Sequence, residues 1–138
     1  MRILLVDDDT LVLKSLQMIL KAEGIDEVYT AKNGKEAFDV YKNHTIDLVL
    51  QDIRLKEENG IEIARKLLEY DKQARIILLT TFKDEEYINK AIKSGVKGYI
   101  LKDNADSLIQ SIQTVMAGNI VLDSEVIKDI KLSDKEKK

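Results

Sequence analysis

Short apolar runs alternate along the chain with segments whose apolar positions recur at helical spacing. Ile3-Leu4-Leu5-Val6 is continuous and predicts a strand covered on both faces. Val12, Leu13, Leu16, Ile19 and Leu20 follow a helical period from Thr10 to about Ala22, and Gly24 is the expected stop. Val28 to Ala31 is a strand of mixed polarity, as at a sheet edge, and Asn33 is placed to cap a helix over about 35–42. The alternation then repeats. Leu48-Val49-Leu50 predicts a strand, and Ile61, Ala64, Leu67 and Leu68 mark a helix. Ile76-Ile77-Leu78-Leu79 is a strand, and Asp84 caps a helix bearing Tyr87, Ile88, Ala91 and Ile92, which stops before Gly95. Gly98 to Leu101 is a short strand, and Leu108, Ile109, Ile112, Val115 and Met116 mark a last helix ended by Gly118. Five strand–helix units in strict alternation predict a doubly wound α/β domain: a five-stranded parallel sheet with helices on both faces.

In such sheets ligands bind beyond the carboxyl ends of the strands. There the first strand is followed by Asp7, Asp8 and Asp9, the third by Asp52, the fourth by Thr80 and Thr81, and the fifth by Lys102. Clustered carboxylates repel unless a cation sits among them. Oxygen ligands without His or Cys suit a hard ion such as Mg2+, which tolerates few carboxylates and keeps several waters. A lysine offers a compact charge to a phosphoryl group, and a threonine hydroxyl offers a hydrogen bond. A carboxylate can itself attack phosphorus. The set therefore reads as metal-assisted, in-line phosphoryl transfer to an aspartate. No GxGxxG or GxxxxGK[ST] occurs, so nucleotide-type phosphate binding has no support.

The four strand-end motifs are Leu5-Val6-Asp7-Asp8, Asp47 to Leu55 with Gly60, Leu79-Thr80-Thr81-Phe82, and Gly98-Tyr99-Ile100-Leu101-Lys102. In this order they resemble the receiver domain of two-component response regulators over residues 2 to about 122. The resemblance implies a flavodoxin-like fold with strand order 2-1-3-4-5. It implies that Asp52 accepts a phosphoryl group from a sensor histidine kinase. Mg2+ would be held by Asp7, Asp8, Asp52 and the backbone carbonyl of Arg54, with Asp8 a direct ligand and Asp7 acting mainly through water. Thr80 would turn toward the phosphoryl group, Tyr99 would swing inward behind it, and Lys102 would pair with its oxygens. Thr81, beside that group, would narrow the access of water, and Arg54 and Phe82 are candidates to tune the same rate. The module would be a switch and not a turnover enzyme.

Lys102-Asp103, Leu79 to Phe82 and Met116-Ala117-Gly118-Asn119 further resemble LuxR-type regulators, whose output is a helix-turn-helix domain. Residues 1–122 are then the receiver. Residues 123–138 are a linker stub resembling, at Leu132 to Lys137, the opening of a DNA-binding domain absent from this chain. Transcription would be the output, with pairing of two copies on phosphorylation. Two other readings stay open. One is a stand-alone receiver that passes on a phosphate or docks on a partner. The other is an Mg2+-dependent aspartate-nucleophile phosphohydrolase, in which Asp52 and the motif order would have no role. Two positions depart from the family: Lys56 and Asp103 stand where proline is common.

Composition narrows the classes further. The 138 residues carry 22 Lys+Arg against 25 Asp+Glu, a net charge of −3, and contain no Cys and no Pro. An acidic pI near 5.3 argues against a large nucleic-acid surface on this chain. The lack of cysteine excludes disulfides and thiolate chemistry. With a strand-like run directly after Met1, it leads us to expect a cytoplasmic protein without a signal peptide. No apolar run reaches the roughly 20 residues of a membrane helix. Asp9 reads as an acid favoured at a helix N-terminus, and His44 as an exposed loop residue.

Overall fold

A computed structural model of the chain describes residues 1–81, 85–102 and 107–122. Phe82, Asp84, Asp103 and the expected stub 123–138 lie outside the described residues. The elements run β1 (Arg2–Val6), α1 (Thr10–Ala22), β2 (Glu27–Ala31), α2 (Gly34–Asn43), β3 (Leu48–Asp52), α3 (Gly60–Tyr70), β4 (Ile76–Thr80), α4 (Glu85–Ser94), β5 (Gly98–Leu101), α5 (Leu108–Met116) and β6 (Val121–Leu122). The sheet is parallel, in the order β2-β1-β3-β4-β5-β6. The expected order of five strands is therefore present, with a sixth, two-residue strand added beside β5. The mixed-polarity β2 stands at an edge, as its pattern predicts.

Successive strand residues point to opposite faces, and the core divides accordingly. Leu4, Val6, Val49, Ile76, Leu78 and Tyr99 pack under α2, α3 and α4, against Tyr41, Ile61, Ala64, Leu67, Ile88 and Ala91. Ile3, Leu5, Leu48, Leu50, Ile77, Leu79 and Ile100 pack under α1 and α5, against Leu13, Leu20, Leu108, Ile112 and Val115. β3 and β4 lie wholly buried between these layers, which is why they read as continuous apolar runs. In the α4 stripe, Ile88 and Ala91 are core while Ile92 is exposed, and the side chain of Tyr87 lies outside the described residues.

Caps set the loops that carry the polar residues. Asp9 caps α1, its carboxylate accepting from the N–H groups of Leu11 and Val12. Asn33 caps α2 through the N–H of Glu36, whose own carboxylate reaches back to the N–H of Lys32. At the end of α1, Gly24 takes φ +83° while Gly24 and Ile25 donate to the carbonyls of Lys21 and Leu20.

Candidate functional site

β1, β3 and β5 each carry a side chain of the site to the same end of the sheet. Asp7 continues the alternation of Ile3 and Leu5, Asp52 that of Leu48 and Leu50, and Lys102 that of Ile100. All three thus belong to the α1/α5 face. Thr80 shares the opposite face with Leu78 and Tyr99.

The ammonium of Lys102 lies 2.9 Å from Asp7 Oδ2 and 3.1 Å from Asp52 Oδ1. Asp7 and Asp52 are buried, and Asp8 is half-buried. Asp7 Oδ1 accepts from the N–H of Asp9 at 2.9 Å, while the Asp7 N–H extends the ladder to Ala31 O at 3.0 Å. Lys102 is held by its own N–H, which donates to the carbonyl of Thr80 at 2.8 Å.

Two of these charges are perturbed. Burial, and then the neighbouring charge of Asp7, push the Asp52 carboxyl up to about 6, although Lys102 and the Arg54 N–H pull the other way. Burial alone would lower the Lys102 ammonium. Its hydrogen bond to Asp7 and the charge of Asp52 outweigh that, and hold it above the ordinary lysine value.

The backbone under Asp52 is fixed at several points. Gln51, a buried polar residue within the apolar β3, donates from Nε2 to the carbonyl of Asp52 at 3.0 Å. The Gly60 N–H donates to Ile53 O at 2.6 Å, and any side chain at Gly60 would collide with the Asp52 carbonyl. Between them, Arg54 and Asn59 form an antiparallel bridge closed by the Leu55 N–H on Glu58 O, with Leu55 buried as the anchor. Gln51 was not among the expected site residues. Its signal was a polar side chain inside a run otherwise built for burial.

One carboxylate oxygen each from Asp7, Asp8 and Asp52 lies within 4.8 Å of the others. This compact, all-oxygen set suits a hard divalent cation, and Lys102 supplies the counter-charge beside it. Asp9 stands apart from the set as the cap of α1. Asp9→Ala is expected to cost about 1 kcal/mol of stability in denaturant unfolding and to leave Mg2+ affinity unchanged. A loss of affinity of about tenfold would instead tie Asp9 to the metal set, as a ligand or by positioning one.

Tyr99 is fully buried, and Thr80 is buried on the same face. Thr81 and Arg54 are exposed at the rim. His44 is exposed, as expected, and its ring stacks on Tyr29 with centroids 4.3 Å apart. Among the described residues, no helix is long and apolar enough to cross a membrane.

Residues 3–113 match the response regulator receiver domain, and the chain belongs to that family. It is 37% identical over 127 residues to the transcriptional regulatory protein LnrK of Bacillus subtilis, spanning 91% of this chain and 58% of that one. The chain thus covers less than two thirds of that regulator. A LuxR-family two-component response regulator from Aurantimonas superimposes with a TM-score of 0.88 at 27% identity, covering 96% of each chain. The CheY of the CheX–CheY–BeF3–Mg2+ complex from Borrelia burgdorferi superimposes with a TM-score of 0.77 at 32% identity, over 83% of this chain and 87% of that one.

Proposed function

We propose that this receiver accepts a phosphoryl group on Asp52 and thereby switches a transcriptional output. The observation that carries the reading is the convergence of Asp7, Asp52 and Lys102 within hydrogen-bonding distance at one rim, with Asp8 completing a carboxylate triad.

The donor is a phosphohistidine on a sensor kinase. An oxygen of the Asp52 carboxylate attacks phosphorus, the P–N bond breaks, and its electron pair leaves on the imidazole nitrogen, which takes up a proton. The product is an acyl phosphate. Asp8, Asp52 and the Arg54 carbonyl would hold Mg2+, with Asp7 acting mainly through water. When bound, the ion neutralises charge building on the phosphoryl oxygens. Lys102 moves its pairing from the Asp52 carboxylate to a phosphoryl oxygen, keeping Asp7 as its second partner. Thr80 donates its hydroxyl to the same group, and Tyr99, already buried on Thr80's face, fills the space behind it. The BeF3–Mg2+ complex of the Borrelia CheY supports the same chemistry here.

The relatives support a transcriptional output. That LnrK is a transcriptional regulator longer than this chain supports reading residues 1–122 as the receiver and 123–138 as the lead toward a DNA-binding domain. Phosphorylation then promotes pairing of two copies, and the protein works in the cytoplasm. The module is a switch whose only chemistry is its own phosphorylation and slow dephosphorylation.

The test is incubation with Mg2+ and a small-molecule acyl phosphate donor. Stoichiometric labelling that is released by base and by hydroxylamine and that requires Asp52 supports the receiver reading. Continuous phosphate release that survives in Asp52→Asn overturns it in favour of a phosphohydrolase. A finer expectation concerns Thr81, exposed beside Thr80. Thr81→Ala opens the path for water and shortens the half-life of the acyl phosphate. An unchanged or longer half-life, followed by loss of label, counts against that role.

A further inference from the structure

The exposed turn after β3 makes one contact that the chemistry above does not use. The backbone N–H of Lys56 donates to Asp8 Oδ2 at 2.6 Å, across 48 residues of sequence. This short, charge-assisted bond joins the β1–α1 loop to the β3–α3 turn. Both loops line one shallow cavity, formed by Asp8, Asp9, Thr10, Arg54, Leu55 and Lys56.

The donor is held in place by its surroundings. Leu55 is buried, the Leu55 N–H closes the turn on Glu58 O at 3.2 Å, and Arg54 and Asn59 pair across it. The Glu58 carboxylate takes the Gly34 N–H at 2.9 Å, tying the far side of the turn to the start of α2. The Lys56 amide therefore has little freedom to follow Asp8, and Asp8 orients to it. A carboxylate with one oxygen fixed by an amide presents the other in a set direction. Groups that orient a ligand in this way typically change metal affinity by about 10–100-fold when removed.

We infer that Lys56 is a positioning residue for the cation, acting through its backbone N–H on Asp8 and not through its side chain. Proline, which lacks an N–H, could not do this at position 56. The inference rests on the reading of Asp8 as an Mg2+ ligand.

Metal titration of four proteins tests it, with Mg2+ binding followed by calorimetry and not by phosphorylation. The native protein binds Mg2+, and Asp8→Asn loses that binding. Lys56→Ala, which keeps the N–H, binds as the native protein does. Lys56→Pro binds about tenfold more weakly. If the native protein and Asp8→Asn bind alike, the reading of Asp8 fails. If Asp8→Asn loses binding but Lys56→Pro binds as tightly as the native protein, the positioning role is overturned and the ligand reading stands. A second measurement holds even where the proline variant does not fold. In the native protein the Lys56 amide proton is expected to resonate far downfield and to be protected from exchange, and Asp8→Ala is expected to abolish both. A Lys56 amide indifferent to Asp8→Ala sinks the proposal.

Discussion

Asp52→Asn is expected to abolish phosphoryl labelling and, at pH 7.5, to make the protein more stable. The second effect follows from burial. Asp52 is nearly inaccessible, and its carboxyl titrates near 6 in the folded chain against an ordinary value of 3.8. The folded state therefore holds a proton that the unfolded state has released, between about pH 4 and pH 6. Stability falls as pH rises through that window and stays lowered above it. A shift of this size corresponds to about 3 kcal/mol at full weight, and to about 1–2 kcal/mol once screening at the open rim is allowed for. Asparagine has the same shape and no charge, so it removes the penalty. Thermal unfolding is expected to show a rise of roughly 3–8 °C at pH 7.5. The gain shrinks toward pH 4, where the native carboxyl is already neutral. Saturating Mg2+ should stabilise the native protein and scarcely move Asp52→Asn, because only the former gains from charge neutralisation. Equal stabilisation of both by Mg2+, or a pH-independent difference between them, would show that Asp52 is not the strained member of the cluster.

Lys102→Ala should produce the opposite pattern. The lysine bridges Asp7 and Asp52, and both carboxylates are buried. Without it their repulsion drives the Asp52 carboxyl above its present value of about 6, so less of the nucleophilic form exists at neutral pH. The transition state also loses the cation that would pair with the phosphoryl oxygens. Together these are expected to slow acyl phosphate formation by about a hundredfold or more, the usual cost of removing one preorganised charge-stabilising donor. Without metal the variant is less stable than the native protein. Mg2+ then restores more stability to it than to the native protein, since the ion supplies the missing charge. Initial labelling rates and unfolding curves with and without Mg2+ check both points. A labelling rate within a factor of two of native would remove Lys102 from the chemistry.

Much of this arrangement was legible because it rests on side-chain pattern. The continuous runs of β1, β3 and β4 are what burial on both faces requires, and α1 spans Thr10–Ala22 as its period predicts. Strand alternation and parallel order carry Asp7, Asp52 and Lys102 to one rim and Thr80 to the opposite face, so residue type and strand-end position sufficed to nominate these four, whereas Tyr99, on the face of Thr80, was named only through the family resemblance. β6 was not legible. Val121–Leu122 is too short to show a period, and it is a strand only because β5 offers an open edge there. The Lys56 contact was hidden for a different reason. A backbone N–H is common to every residue except proline, and the sequence showed only that proline was missing. The turn that aims this N–H depends on Leu55 finding the core and Glu58 finding Gly34, both of them tertiary contacts.

The short β6 strand has a mechanical meaning. It pairs Val121 with Gly98 and Leu122 with Tyr99, and the Val121 N–H also reaches the Lys97 carbonyl at 2.8 Å. Tension on the backbone beyond Leu122 is therefore taken up first by this clamp on β5, before any of it reaches α5. The four-residue strand that bears the load carries Tyr99 and runs directly into Lys102, whose amide is tied to the Thr80 carbonyl. A pull on the C-terminal side and a change of charge at the rim thus act on one and the same lever.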